Sequence, residues 1–163
     1  MGKMAAGLKP RGFTWVINDR LAVSERVGGS GFQHRKVRRE EEITWLVEEA
    51  RINTVVSMLP GNQNVAAYRE AGIATYTVPL DNGLEKRDQI IFFKTLDMAL
   101  ARKKARVLVH RESVDDTVGG LLGGYLVNSG LVDDPILALA VIQQILGRAL
   151  GPEGRSLIPN GES

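Results

Sequence analysis

The stretch Val107-Leu108-Val109-His110-Arg111-Glu112-Ser113-Val114-Asp115-Asp116-Thr117-Val118-Gly119 decides how this chain is read. Its first three residues are apolar and mostly β-branched, the pattern of a strand buried on both faces. A tight polar loop follows, and Val118-Gly119 opens a new apolar segment with the start of a helical rhythm. Strand, short loop and helix start is the layout in which backbone amides and a helix N-terminus gather around an anion. The charges oppose that use. Glu112, Asp115 and Asp116 set three negative charges against the one positive charge of Arg111, so the loop sums to −2 and repels a phosphate dianion.

Working outward, helical and strand patterns alternate. On the N-terminal side, Arg87 to Arg102 places Ile90, Ile91, Phe93, Leu96 and Leu100 in a helical rhythm that feeds the strand 106–109. Before it, Ile73 to Leu80 alternates like a strand, with Pro79 marking a sheet edge or a strand end, and Asp81-Asn82-Gly83 supplies turn chemistry. Asn64 to Ala71 reads as a short helix stopped by Gly72, and Asn53 to Leu59 as a buried strand closed by Pro60-Gly61-Asn62. Glu40 to Arg51 carries Ile43, Leu46, Val47 and Ala50 on one helical stripe, with acids near its start. Residues 12–24 suggest a hairpin turning at Asn18-Asp19, followed by a loop at Gly28-Gly29-Ser30-Gly31. On the C-terminal side, Val118 to Val127 is a poor helix by propensity because it holds four glycines, which close helix-to-sheet packing would explain. Asp133 or Asp134 caps a helix that starts at Pro135 and runs to about Leu150. The alternation predicts a single three-layer α/β domain, a central parallel-rich sheet flanked by helices, over residues 12–150. Residues 1–11 read as a flexible N-terminus and 151–163 as a C-terminal tail.

Composition removes whole classes of function. Among 163 residues there is no cysteine, which excludes disulfides, thiolate metal sites and thiol catalysis together. No apolar run approaches the roughly 20 residues needed to span a bilayer, so no membrane role is expected. The start Met1-Gly2-Lys3-Met4-Ala5-Ala6 lacks the apolar stretch of a secretory signal and has Ala6 where a myristoylation motif needs Ser or Thr, which makes the cytoplasm the default location. Twenty-one basic residues against 19 acidic ones leave a net charge of +2, too small a field to argue for nucleic acid. The one local basic run, His34-Arg35-Lys36-Val37-Arg38-Arg39, abuts Glu40, Glu41 and Glu42 and lacks interleaved aromatics, which suits a solvated, salt-bridged helix entry better than an RNA, acidic-protein or lipid site.

Taken in order, these segments resemble the dual-specificity branch of the protein tyrosine phosphatase superfamily, bacterial type, over roughly residues 13–150. Trp15-Val16-Ile17, Arg20-Leu21-Ala22 and Ser24-Glu25-Arg26 look like the entry strand pair. Ile52 to Leu59 is similar to the strand after the first helix, and Ala71-Gly72-Ile73 to Pro79-Leu80-Asp81 to the strand that leads into the general-acid loop. Residues 107–119 fall where that family has its signature: His-Cys, five residues, Arg, Ser or Thr, Gly. His110 and Gly119 match. Arg111 stands at the nucleophile position, and its guanidinium, with a pKa above about 12, does not attack phosphorus at neutral pH. Thr117 stands at the clamp position without a charged fork, Val114 replaces the central glycine, and Val118 removes the helper hydroxyl. Asp81 alone matches a chemical role, the general acid.

The resemblance therefore implies a pseudophosphatase: the fold of a phosphatase, no catalytic residues, and no cofactor or metal. The loop has two readings. It is a reused site for a protein partner or a weakly bound anion, with His110, Arg111, Glu112, Ser113, Asp115, Asp116, Thr117 and Gly119 as its binding residues; or it is vestigial, with Arg111 paired to Glu112, Asp115 or Asp116. The alternative function is a hydrolase of altered mechanism, using Ser113 or a metal-bound water held by Asp115, Asp116 and Asp81. As the resemblance implies, His110 is expected to be a buried histidine bonded to backbone rather than a base.

Overall fold

The computed structural model describes residues 7–29, 34–60, 64–80 and 84–158. The hairpin forms where the Asn18-Asp19 turn was expected: β1 (Thr14–Ile17) pairs antiparallel with β2 (Leu21–Glu25), and Asp19 takes the left-handed conformation that a short polar side chain tolerates in a tight turn. Three further strands, β3 (Thr54–Ser57), β4 (Ala74–Thr77) and β5 (Val107–Arg111), complete a sheet of order β1-β2-β5-β3-β4. β2, β5, β3 and β4 run parallel, so their C-terminal ends open on one side of the molecule. β4 lies at the edge, where the following Pro79 costs no ladder hydrogen bond.

The helices are α1 (Lys36–Glu48), α2 (Val65–Glu70), α3 (Lys86–Ala101), α4 (Asp116–Asn128), α5 (Pro135–Leu146) and α6 (Pro152–Arg155). Side-chain alternation along the buried strands divides the interior in two. Val23, Val56, Val107 and Val109 face α3, α4 and α5 through Phe92, Leu96, Leu122 and Ile142, while Ala22, Val55 and Leu108 face α1 and α2 through Leu46 and Tyr68. The expected three-layer arrangement is thus present. α5 begins at Pro135 with Asp134 as its cap and ends at Gly147, whose φ of 69° stops the helix short of Leu150.

Four expectations are corrected. α1 starts at Lys36, four residues earlier than anticipated, so the basic run fills its first turn instead of the acids. That entry is also not fully solvated: Arg38 pairs at 2.9 Å with Glu42, whose carboxylate is buried and accepts the Gly28 amide at 2.7 Å. Residues 151–158 are not a tail beyond the domain. Leu150 and Ile158 are buried, and a Cβ on Gly119, Gly120, Gly123 or Gly124 would collide with Leu150, the Gly154 backbone, Ile158 or the Leu157 backbone, respectively. The glycines of α4 therefore make room for the C-terminal segment rather than for the sheet. Among the described residues no helix is long and apolar enough to cross a membrane.

Candidate functional site: a strand-to-helix loop held by its own side chains

β5 ends on Arg111 and α4 begins at Asp116, which puts the loop at the C-terminal ends of the parallel strands, where open α/β sheets bind ligands. Asp115 is the N-cap of α4, and its Oδ1 accepts the Val118 amide at 3.0 Å. An amide in the first turn is the kind of donor such a loop offers to an anion. Here a carboxylate of the chain takes it.

Arg111 lies across the loop. Its Nη2 donates to the Leu80 carbonyl at 3.0 Å and its Nη1 stands 4.0 Å from Asp115 Oδ2, with the side chain only 17% exposed. The guanidinium thus links the exit of β4 to the cap of α4. Asp81, the expected general acid next to Leu80, lies outside the described residues. Glu112 turns to Arg26, whose Nη1 it meets at 3.0 Å. Ser113 is exposed, Thr117 is half-buried in the first turn of α4, and half-buried Val114 packs against the larger core where the family pattern has glycine.

The two adjacent aspartates do different things. Asp116 accepts the Gly151 amide at 2.5 Å and the Gly154 amide at 2.6 Å, so it caps α6 and fastens the C-terminal segment to α4. Asp115 and Asp116 therefore do not converge, and among the described residues no group of three His, Cys, Asp or Glu side chains is placed to hold a metal ion.

His110 is buried and projects to the α1 and α2 side, where its Nε2 is 3.1 Å from the Tyr68 hydroxyl; the partner of the ring is a side chain rather than the expected backbone. Burial, reinforced by the nearby Arg26 charge, pushes its pKa down to about 4, so the ring is neutral at pH 7 and adds no positive charge for an anion. Among the side chains of the eight residues expected to form one binding loop, only those of Arg111 and Asp115 engage each other. His110 and Glu112 face a cavity with Arg26, Ser57, Asn64 and Tyr68. Sequence reading missed the last three, since only the pairing of β3 with β5 and the docking of α2 bring them beside His110.

No family model matches the sequence, and no curated protein matches it. Solved structures do match in fold. The core catalytic domain of a PP-IP phosphatase from S. cerevisiae, in complex with citrate, superposes with a TM-score of 0.68 at 15% identity, covering 93% of this chain and 86% of that one. Kinase-associated phosphatase, with its catalytic-site cysteine substituted by serine, gives 0.70 at 14% identity over 92% and 93% of the two chains. A putative phosphatase from Shewanella putrefaciens CN-32 gives 0.62 at 17% identity over 91% and 89%.

Proposed function

We propose that this chain, built on the fold of the dual-specificity phosphatases, is a catalytically inactive binding or regulatory module. The observation that carries the reading is the Asp115 carboxylate on the Val118 amide, with Arg111 laid against it, at the place where a phosphatase of this fold would hold its phosphoryl group. Substrate phosphate would have to displace a covalently attached carboxylate that costs no translational entropy to bind. It would then meet neither a thiolate nor an arginine clamp, since the chain has no cysteine and Thr117 stands at the clamp position. The protein or anion that such a module binds would meet Arg111 and Ser113 at the loop, in the cytoplasmic setting expected from the sequence.

The metal-assisted alternative has less support, because Asp116 is engaged by two amides of α6 and is not free to hold a cation with Asp115. The direct test is phosphate release from aryl phosphates and phosphopeptides by the purified chain, with and without Mg²⁺ or Mn²⁺. Release no greater than that of heat-inactivated protein is expected. Turnover that Asp81→Ala abolishes would overturn the proposal, and turnover only with added metal would favour the alternative. Arg111→Cys with Thr117→Arg is expected to stay inactive, since Val114 and the Asp115 cap remain.

A further inference from the structure

Beside the loop, on the α1 and α2 side of the sheet, is a cavity of about 160 Å³. It is smaller than the roughly 300–1,000 Å³ of drug-sized sites. Arg26, Ser57, Asn64, Tyr68, Thr75 and His110 are among its lining residues. Ser57, Thr77 and His110 reach it because they lie in register at the strand ends, Ser57 and His110 on the face that carries Val55 and Leu108.

Among the described residues, five buried side-chain atoms have no hydrogen-bond partner: Arg26 Nε, His34 Nε2, Arg39 Nε, Asn64 Oδ1 and His110 Nδ1. Arg26, Asn64 and His110 line the cavity. The other two adjoin it. His34 and Arg39 both crowd Gly28, the charges of Arg26 and Arg39 act on His34 and on Tyr68, and Asn64 sits against both His34 and Tyr68 without giving its Oδ1 a well-aligned donor. Folded proteins satisfy about nine in ten buried polar groups, because an unpaired one carries its full desolvation penalty. Three on one cavity, with two more beside its lining, point to a molecule that completes the three.

The charge balance selects its class. Arg26, Arg38 and Arg39 bring three positive charges to this region. Arg38 pairs with Glu42 and Arg26 with Glu112, while Arg39 has no ion-pair partner among the described residues, which leaves a balance of +1. His34 and His110 do not add to it, because burial, helped by the neighbouring arginines, keeps both rings neutral. Val55, Leu59, Pro60, Val65 and Tyr76 add apolar walls, with Thr77 at the edge strand. From the cavity, its orphaned polar atoms and this balance, we infer that the chain binds a small organic monoanion, a carboxylate on a compact apolar body. Inorganic phosphate fits less well, since it has no apolar body and leaves the apolar walls uncovered. The inference goes beyond the inactive-module reading and does not depend on it.

The test is a two-dimensional amide NMR titration of the full chain with three probes: benzoate, its uncharged counterpart benzamide, and inorganic phosphate. Benzoate is expected to give saturable shifts at Ser57, Tyr68 and Arg39, with benzamide and phosphate at least tenfold weaker. Arg39→Gln, which removes the uncompensated charge, is expected to weaken benzoate about tenfold, in the range of one charged hydrogen bond. Thr77→Trp, at an exposed lining position on the edge strand where an aromatic is tolerated, is expected to block the cavity and abolish the shifts with the rest of the spectrum unchanged. Equal binding of benzamide, shifts confined to residues 111–118, or no saturable shift below about 10 mM would overturn the inference, the last meaning that water alone satisfies the three lining atoms. Phosphatase assays on the same sample decide the proposed function separately.

Discussion

Asp115 Oδ1 accepts the amide of Val118 at 3.0 Å, so the helix end that faces the loop carries its own anion. Two substitutions separate the cap from its charge. Asp115→Ala is expected to cost about 1 kcal/mol of stability in urea denaturation, the usual loss for an N-cap. Asp115→Asn keeps a good capping side chain and is expected to stay within a few tenths of a kcal/mol of the parent. It also takes the loop from −2 to −1, so phosphate or vanadate affinity should rise several-fold, read by competition or NMR. An unchanged anion affinity in Asp115→Asn would mean that the cap's charge is not what keeps anions out.

Asp116 plays its part at a distance of 35 and 38 residues, through the Gly151 and Gly154 amides. Asp116→Ala leaves both donors half-buried without an acceptor, and charge-assisted bonds of this kind contribute roughly 1.5–3 kcal/mol each. A loss of about 2–4 kcal/mol is expected, with faster amide exchange in residues 151–158. A loss below about 0.5 kcal/mol would mean that water replaces the carboxylate readily and that the C-terminal segment does not depend on it.

The two aspartates also mark where sequence reading stops. The fold was legible because β-branched runs alternate with amphipathic ones, and the strand of Val107 to Val109 stands out by composition alone. The departure from the phosphatase signature was legible because it is a matter of residue type: Arg111 and Thr117 cannot become a thiolate and a fork. Side-chain direction was not. Adjacent residues at a helix start point about 100° apart, so Asp115 turns to its own helix and Asp116 to α6, which lies far along the chain. The same limit hid Asn64 and Tyr68 as neighbours of His110, and let four glycines of α4 pass as room for the sheet when they make room for residues 150–158.

Those glycines give a prediction whose sign is decisive. By helix propensity alone, Gly120→Ala should stabilise α4 by roughly 1 kcal/mol. A Cβ at Gly120, however, collides with the Gly154 backbone carbonyl, which cannot rotate away as a side chain would. Overpacking of this kind costs typically 1–3 kcal/mol. Net destabilisation is expected, with lost protection confined to α4 and residues 151–158. A variant as stable as the parent would show that the C-terminal segment yields at little cost.

His110 gives the pH dependence its direction. Its pKa in the folded chain is about 4, against 6.5 for an ordinary histidine, because burial first and the Arg26 charge second disfavour the protonated ring. Between pH 6.5 and 4 the unfolded chain therefore binds a proton that the folded chain does not. Stability must fall as pH falls through that window, and the contribution is fully present only above it. A shift of this size corresponds to about 3 kcal/mol between the two ends. His34 is shifted in the same direction, chiefly by burial, and steepens the loss. Asn is the informative replacement at position 110, since it keeps a polar group near the Tyr68 hydroxyl and cannot titrate. His110→Asn is expected to be less stable than the parent at pH 7.5, yet to lose less on acidification, so that the two urea midpoints converge towards pH 4.5. The carboxylates, common to both proteins, cancel in that comparison. Parallel curves across the window would mean that the folded chain admits a proton at His110 without penalty, and that the ring is neither as buried nor as close to Arg26 as the fold places it.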